Sequence, residues 1–343
     1  MRRLLNTLYV TTPDAYLSLD GENVVVLREA ETLLRVPLHN LEEIVTFGYT
    51  GASPALMGAC AERRIALAFF TRSGRFLADV SGIEQGNVVL RRTQYRMADD
   101  VVQSASVAKN ILIGKLHNSR WVLERAARDH GVRIDAGRVK AAAHAIAGAT
   151  EFLRQADGLE SLRGVEGEAA TRYFSVFDEL ILQSKADFFF RTRSRRPPLD
   201  NVNALLSFAY TLLGNDIAAA IRGVGLDPFV GFLHRDRPGR RSLALDLMEE
   251  LRAVFADRFV LTLINKRQIE PSGFHRQENG AVWLTDEARR LFLAAWQTRK
   301  QEEITHPFLN EKISWGLVPH VQSLLLARFL RGDLDEYPPF LWK

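Results

Sequence analysis

From Tyr16 to Leu27 the chain runs "YLSLDGENVVVL", two β-rich stretches around Asp20-Gly21-Glu22-Asn23, and this predicts a β-hairpin. Four more short apolar runs follow, "LLRVPL", "EEIVTF", "RIALAFF" and "RFLADV", with turn residues between them, Ser73-Gly74 the clearest. Within this strand-rich part, "SPALMGACAERR" has helical spacing after a Ser-Pro start, which predicts one short helix. After "NVVLRRTQYR" the period changes. "DDVVQSASVAKNILIGKLHNSRWVLERAAR" places apolar residues three and four apart over many turns, the pattern of an amphipathic helix. Helical patterns then recur over 136–156, 166–189, 201–221, 242–257, 285–301 and 312–331. The fold class expected is α+β: a small β-sandwich-like N-terminal domain over 1–92, then a larger all-α domain over 98–343.

Composition narrows this only a little. A chain of 343 residues is long enough for two cores. Its single cysteine, Cys60, excludes an internal disulfide framework and fits a reducing, cytoplasmic setting. Met1-Arg-Arg opens like a secretory leader, but Asn6, Thr7 and Asp14 interrupt any apolar core, and no later run reads as a membrane span. Net charge is only +4, yet just 8 of the 45 basic residues are lysine. That excess of arginine fits either a GC-rich codon bias or a surface that grips phosphate bidentately.

Three segments carry unusual polar residues. In "LRGVEGEAATRYF", Glu166 lies between Gly164 and Gly167 where a helical pattern starts. It reads as a first-turn glutamate complementing the helix dipole, or as a carboxylate placed by a tight turn. In "FFFRTRSRRPPLDNVNALLSFAYTLL", Arg191, Arg193, Arg195 and Arg196 form a solvated loop or a phosphate grip, and Asp200 is the expected N-cap of the next helix. Asn201, Asn203, Ser207 and Tyr210 then make a polar stripe on an apolar helix. The third segment, "GFLHRDRPGRRSLALDLMEELR", sets His234 among Arg235, Arg237, Arg240 and Arg241, with Ser242 as a candidate cap. Asp246 and Glu249 follow three residues apart on one helix face. The choice is between a structural histidine with solvent-facing acids and a hard divalent-metal site, Mg2+ or Mn2+, the imidazole favouring Mn2+. The spacing matches no zinc-finger or HExxH pattern.

In this order the three segments resemble the CRISPR-associated endonuclease and integrase family that captures new spacers, the first of the numbered Cas proteins, with wording most like the subtype I-C branch. The resemblance implies metal ligands and catalytic residues at Glu166 (not Glu168), His234 and Glu249, with Asp246 as an accessory acid. Glu249 stands where many relatives carry aspartate. Tyr210 and Asn203 match polar positions near the family's site. The resemblance further implies a metal-dependent reaction on double-stranded DNA, prespacer and CRISPR repeat, by phosphodiester cleavage and 3′-hydroxyl transesterification. It implies a homodimer, and a small ferredoxin-like partner, the second numbered Cas protein, bridging two dimers; the strand-rich first domain is the expected dimer surface, because open sheets have edges to be paired or covered. The competing reading from another class is a non-catalytic DNA-bending scaffold. A phosphoesterase of small substrates is disfavoured by the two arginine-rich loops. For "DEYPPFLWK", packing on its own domain is set against contact with the partner.

Overall fold

The computed structural model describes residues 6–29, 31–72, 74–80, 88–156 and 158–342. The expected turn residue Ser73 and the leader-like 1–5 lie outside them. The chain divides into two compact units: Met1–Gln85 with Leu284–Glu302 and Ser314–Leu317, and Gly86–Trp283 with Glu303–Ile313 and Val318–Lys343. That division departs from 1–92 and 98–343, because a helix late in the chain belongs with the strands.

In the first unit, strands β2 (Tyr16–Asp20), β3 (Asn23–Arg28) and β4 (Glu31–Pro37) make an antiparallel sheet. The expected hairpin is present: Asp20 pairs with Asn23 across Gly21-Glu22, and Gly21 takes a positive φ of 56°. The second sheet runs β1 (Thr7–Val10), β5 (Glu43–Phe47), β6 (Ala66–Phe70), β7 (Phe76–Val80). β1, β5 and β6 are parallel and β7 closes antiparallel. Helix α1 (Pro54–Arg63) bridges β5 to β6, and Ser53 caps it by accepting from the Leu56 N–H at 3.2 Å. Leu17, Val24 and Val26 of one sheet pack with Ile44 and Leu67 of the other and with Leu56 and Cys60 of α1, a shared apolar core.

Helix α9 (Asp286–Gln301) completes this unit. Arg289 stacks on Phe47 at 5.6 Å, and Lys300 lies 3.8 Å from Glu43 and donates to Thr7. Its Phe292 and Trp296 are fully buried and stack on each other at 6.3 Å, an apolar face encoded far along the chain from the strands of the same unit.

The second unit is built on α3 (Val101–His130), capped by Asp100, which accepts from Val102 and Gln103 N–H groups. Helices α4 (Ala136–Gln155), α5 (Leu159–Ser175) and α7 (Ser242–Leu251) pack on it. α6 (Asn201–Gly223) lies against α7 and α10 (Val318–Leu330). Asp200 caps α6 as expected, accepting from the Asn203 N–H at 2.7 Å. By length and composition α6 could cross a membrane, contrary to the sequence expectation, but most of its apolar window is buried in the unit, where a core helix is apolar all round. A π-helical turn over Arg252–Asp257 joins α7 to α8 (Arg258–Asn265).

Several boundaries differ from those the pattern predicts. "VVLRRTQYR" is helical, inside α2 (Val88–Asp99), and the preceding Asn87 lies outside the described residues. α5 begins at Leu159 and ends at Ser175, not 166–189, because Gly164 and Gly167 are carried within the helix instead of breaking it. The unit is also not all-α: β8 (Phe274–Arg276) pairs with β9 (Val282–Leu284), and β10 (Glu303–Thr305) with β11 (Lys312–Ser314).

Candidate active site

Three elements bring the site together: α3, α5 and the loop-and-helix from Pro228 to Leu251. The loop folds back tightly on the start of α7. A Cβ on Gly231 would lie 2.7 Å from Asp246 Oδ2 and 2.8 Å from the Ser242 carbonyl carbon, so only glycine fits. Ser242 is the first buried residue of α7 and donates to the Arg235 carbonyl, so the expected cap is a loop tie instead. Asp246 is fully buried and accepts N–H groups from Phe232 (2.6 Å), Leu233 (3.0 Å) and His234 (3.0 Å). It also meets His234 Nδ1 at 2.6 Å. With Nδ1–H donating to that carboxylate, Nε2 keeps its lone pair and turns toward Glu249 Oε1, 3.9 Å away. The acid pair is therefore divided in role: Asp246 sets the loop and the imidazole, and Glu249 faces the cleft.

Glu166 lies on the second turn of α5, not in a tight turn or at the helix start. Its carboxylate meets the Lys115 ammonium, and the same ammonium sits 2.7 Å from Glu249 Oε2. That oxygen accepts no well-directed hydrogen bond, so the contact is an ion pair without alignment. Glu168 is exposed and faces Arg172. Arg252 adds a second cation, its Nη2 3.0 Å from Glu249 Oε1. Burial pushes the Glu249 carboxyl up, but Arg252, Lys115 and His234 together outweigh it and hold it down at about 2.

Behind this lies a second buried acid. Asp257 accepts from Tyr210 (2.5 Å) and Tyr173 (3.0 Å), and burial pushes its carboxyl up to about 6 against those hydrogen bonds. Arg193 and Arg252 both stack on the Tyr210 ring, at 5.3 and 5.0 Å. Tyr210 thus supports Arg252 and not the cleft surface. Asn203 is buried, taking Arg193 Nη1 at 2.7 Å and the Ser194 N–H at 3.1 Å. It anchors the arginine loop.

A cleft of about 440 Å³ opens over these groups, with Glu166, His234 and Glu249 in its wall. Arg235, Arg237 and Arg240 line it together with Arg163, while Arg235 is tied to Glu160 at 2.6 Å. Arg241 turns away to Asn215. In the other loop, Arg191, Arg195 and Arg196 are exposed and Arg193 is tucked under Tyr210.

On the far side of α7, Glu250 is buried and binds the segment 337–342. It accepts from Tyr337 Oη (2.7 Å), the Phe340 N–H (2.7 Å) and Gln322 Nε2 (2.9 Å). Asn118 of α3 donates to the Glu250 and Phe340 carbonyls, and His117 contacts the Trp342 carbonyl. The tail packs on its own unit. Burial pushes the Glu250 carboxyl up to about 8, outweighing those neutral donors.

The donors fit a hard divalent ion in kind: two carboxylates, one imidazole held by its other nitrogen, and one buried carboxylate oxygen without a directed partner. Among the described residues, however, no three acidic, histidine or cysteine side chains stand gathered as a ready ligand set, because Lys115 occupies the space between the two glutamates. Lys115, Arg252, Asp257 and Tyr173 escape the sequence reading. The legible signal for Lys115 was a lysine inside "ILIGKL", an otherwise apolar stretch of helix.

The family model for CRISPR associated protein Cas1 matches residues 8–298. A "CRISPR-associated endonuclease Cas1 2" of Rhodospirillum rubrum is 53% identical over 347 residues, covering all of both chains. Two solved structures share the fold: a casposase bound to integration product (TM-score 0.84, 22% identity, 98% of this chain and 93% of that one), and a Cas6-RT-Cas1–Cas2 complex (TM-score 0.82, 22% identity, 100% of this chain and 36% of that one). The class is that of nucleases acting on DNA. Within it, the chain belongs to the CRISPR associated protein Cas1 family.

Proposed function

We propose that this chain is a metal-dependent integrase of CRISPR adaptation, joining a short duplex prespacer to repeat ends. One observation carries the reading: Glu166, Glu249 and an oriented His234 converge in a cleft lined by Arg235, Arg237 and Arg240. A divalent ion, Mg2+ or Mn2+, held by Glu166, Glu249 and His234 Nε2, would supply positive charge at the scissile phosphate. The protein's own groups do the rest. The cleft arginines bind backbone phosphate without reading sequence. Asp246 fixes the imidazole in the tautomer whose Nε2 is free, and Arg252 keeps Glu249 ionised. The attacking group is water for cleavage, or a DNA 3′-hydroxyl for joining.

The solved casposase is described with an integration product, which supports strand transfer as the physiological reaction on this fold. The Cas6-RT-Cas1–Cas2 complex likewise supports a Cas2-type partner. We assign dimerisation to the strand-rich unit, where β4 offers an exposed edge strand, and place the enzyme in the cytoplasm. A labelled duplex, a repeat-bearing plasmid and MnCl2 should yield joined product that EDTA abolishes. Metal-independent DNA bending with no joining would return the scaffold reading. Light scattering should give a dimer alone and a larger complex only with the partner.

A further inference from the structure

The two glutamates proposed as metal ligands already share a cation. The Lys115 ammonium contacts Glu166 and lies 2.7 Å from Glu249 Oε2, with its side chain only 12% exposed. Its position follows from packing. A Cβ on the preceding Gly114 would meet Glu250 Cγ and Pro339 Cβ at 3.1 Å each, so α3 runs close beside α7 and the tail at this point. Lys115 therefore emerges directly at the carboxylate pair.

Two ionised carboxylates facing one cleft repel, and without a positive charge between them one of the pair takes up a proton instead. Arg252 neutralises only Glu249 by direct contact, and His234 stands 3.9 Å off. Glu166 has Lys115 as its ion-pair partner among the described residues. An ammonium on a flexible four-carbon stem, unlike a guanidinium fork, can be moved aside by a few bond rotations.

We infer that Lys115 is a resident counter-cation of the Glu166–Glu249 pair, holding the two carboxylates together until a divalent ion displaces it. This rests on the metal site proposed above. The carboxylates stay preorganised and the site stays closed to weakly held cations, at a cost in metal affinity equal to the displacement of the ammonium.

The test uses the full-length protein. Isothermal titration with MnCl2 should show Lys115→Met binding Mn2+ about ten-fold tighter than wild type, whereas Lys115→Arg should not. Without metal, Lys115→Met should melt lower, and saturating Mn2+ should raise its midpoint by more than it raises that of wild type. A readout on wild type avoids reliance on a variant that folds poorly. Amine-reactive labelling of Lys115, followed by mass spectrometry, should be slow in EDTA and several-fold faster in saturating Mg2+. Wild-type Mn2+ binding with unchanged or weaker affinity in Lys115→Met, or labelling that metal slows, overturns this inference alone. No Mn2+ binding by wild type and both variants overturns the metal reading and this inference with it.

Discussion

Glu249 and Glu250 are adjacent and both buried, yet they face opposite electrical surroundings. One residue along a helix is a turn of about 100°, enough to send Glu249 into the cleft and Glu250 into the packing between α3 and the tail. Around Glu249 the Lys115 and Arg252 cations converge beside the His234 ring, and the carboxyl is held at about 2. Around Glu250 there are only neutral donors, and burial pushes it up to about 8. The lesson is that burial alone does not set a carboxyl's charge. The same desolvation leaves one group a permanent anion, fit to hold a cation, and the other close to a neutral structural acid.

The largest effect that sharpens this contrast is on activity. Glu249→Gln should abolish metal-dependent joining while the protein stays folded by circular dichroism, as should Glu166→Ala and His234→Ala. Glu250→Gln, which mimics the neutral acid, should join at near wild-type rate. An equally inactive, folded Glu250→Gln would break the division between the two sides of α7.

Next comes Asp246, which the family resemblance casts as an accessory acid and whose geometry makes it more consequential. Asp246→Ala strands two buried N–H groups and a part-buried third, and frees the imidazole. It should lose about 2 to 3 kcal/mol by urea denaturation and roughly 10- to 100-fold in joining. Unchanged Mn2+ affinity and rate would show that His234 needs no such orientation.

A pH series separates the two glutamates more finely. Glu250's folded pKa is raised above its ordinary 4.5, so its stabilising contribution is full below that value and is lost as pH climbs toward about 8. Metal-free protein should therefore weaken with rising pH by up to about 1.4 kcal/mol per unit in that window. Asp257 adds the same sign up to about 6. Glu249 has the opposite sign, contributing above 4.5 and failing only as pH falls toward about 2. Glu250→Gln should flatten the slope above pH about 6; an unchanged slope there would mean that Glu250 is ionised in the fold.

The smallest effects are at the rim. Gln at Arg235, Arg237 or Arg240 should each lower the salt slope of duplex binding by about one unit. Tyr337→Phe on the tail side, and Arg193→Gln beneath Tyr210, should leave it unchanged. A slope that ignores the cleft arginines would favour codon bias as the source of these residues.

Much of this was legible in the sequence where the signal is local. The Gly21-Glu22 turn, the Asp200 cap and the short helix at the Ser53-Pro54 start follow from one or two residues each. Gly164 and Gly167 misled, because glycine near a helical pattern looks like a boundary, while packing on α3 carries α5 through both. Lys115 and Arg252 were missed because their meaning is set by what lies opposite, in elements 50 or more residues away for Lys115 and in a π turn for Arg252. The tail's aromatic content was visible, but Glu250 as its anchor was hidden by the neighbouring acid that drew the attention.

The π turn over Arg252–Asp257 also sets a phase. From Ser242 to Asn265 the chain is one rod in three segments, and the wide turn in its middle takes up one residue more than an α turn would. Taking one residue out at Ala253 would let the rod become regular α-helix, a locally favourable change. The phase beyond would be nearly kept, because the wide turn had absorbed that residue; the same deletion at Leu251, in regular helix, would instead rotate everything beyond by about 100°, carrying Asp257 away from Tyr210 and Tyr173. This rod is thus intolerant of length change outside its wide turn, in a way that its apolar composition does not reveal: the π turn can give up a residue, whereas a single insertion or deletion between Glu249 and that turn puts the supports of Arg252 out of step with the carboxylate they serve.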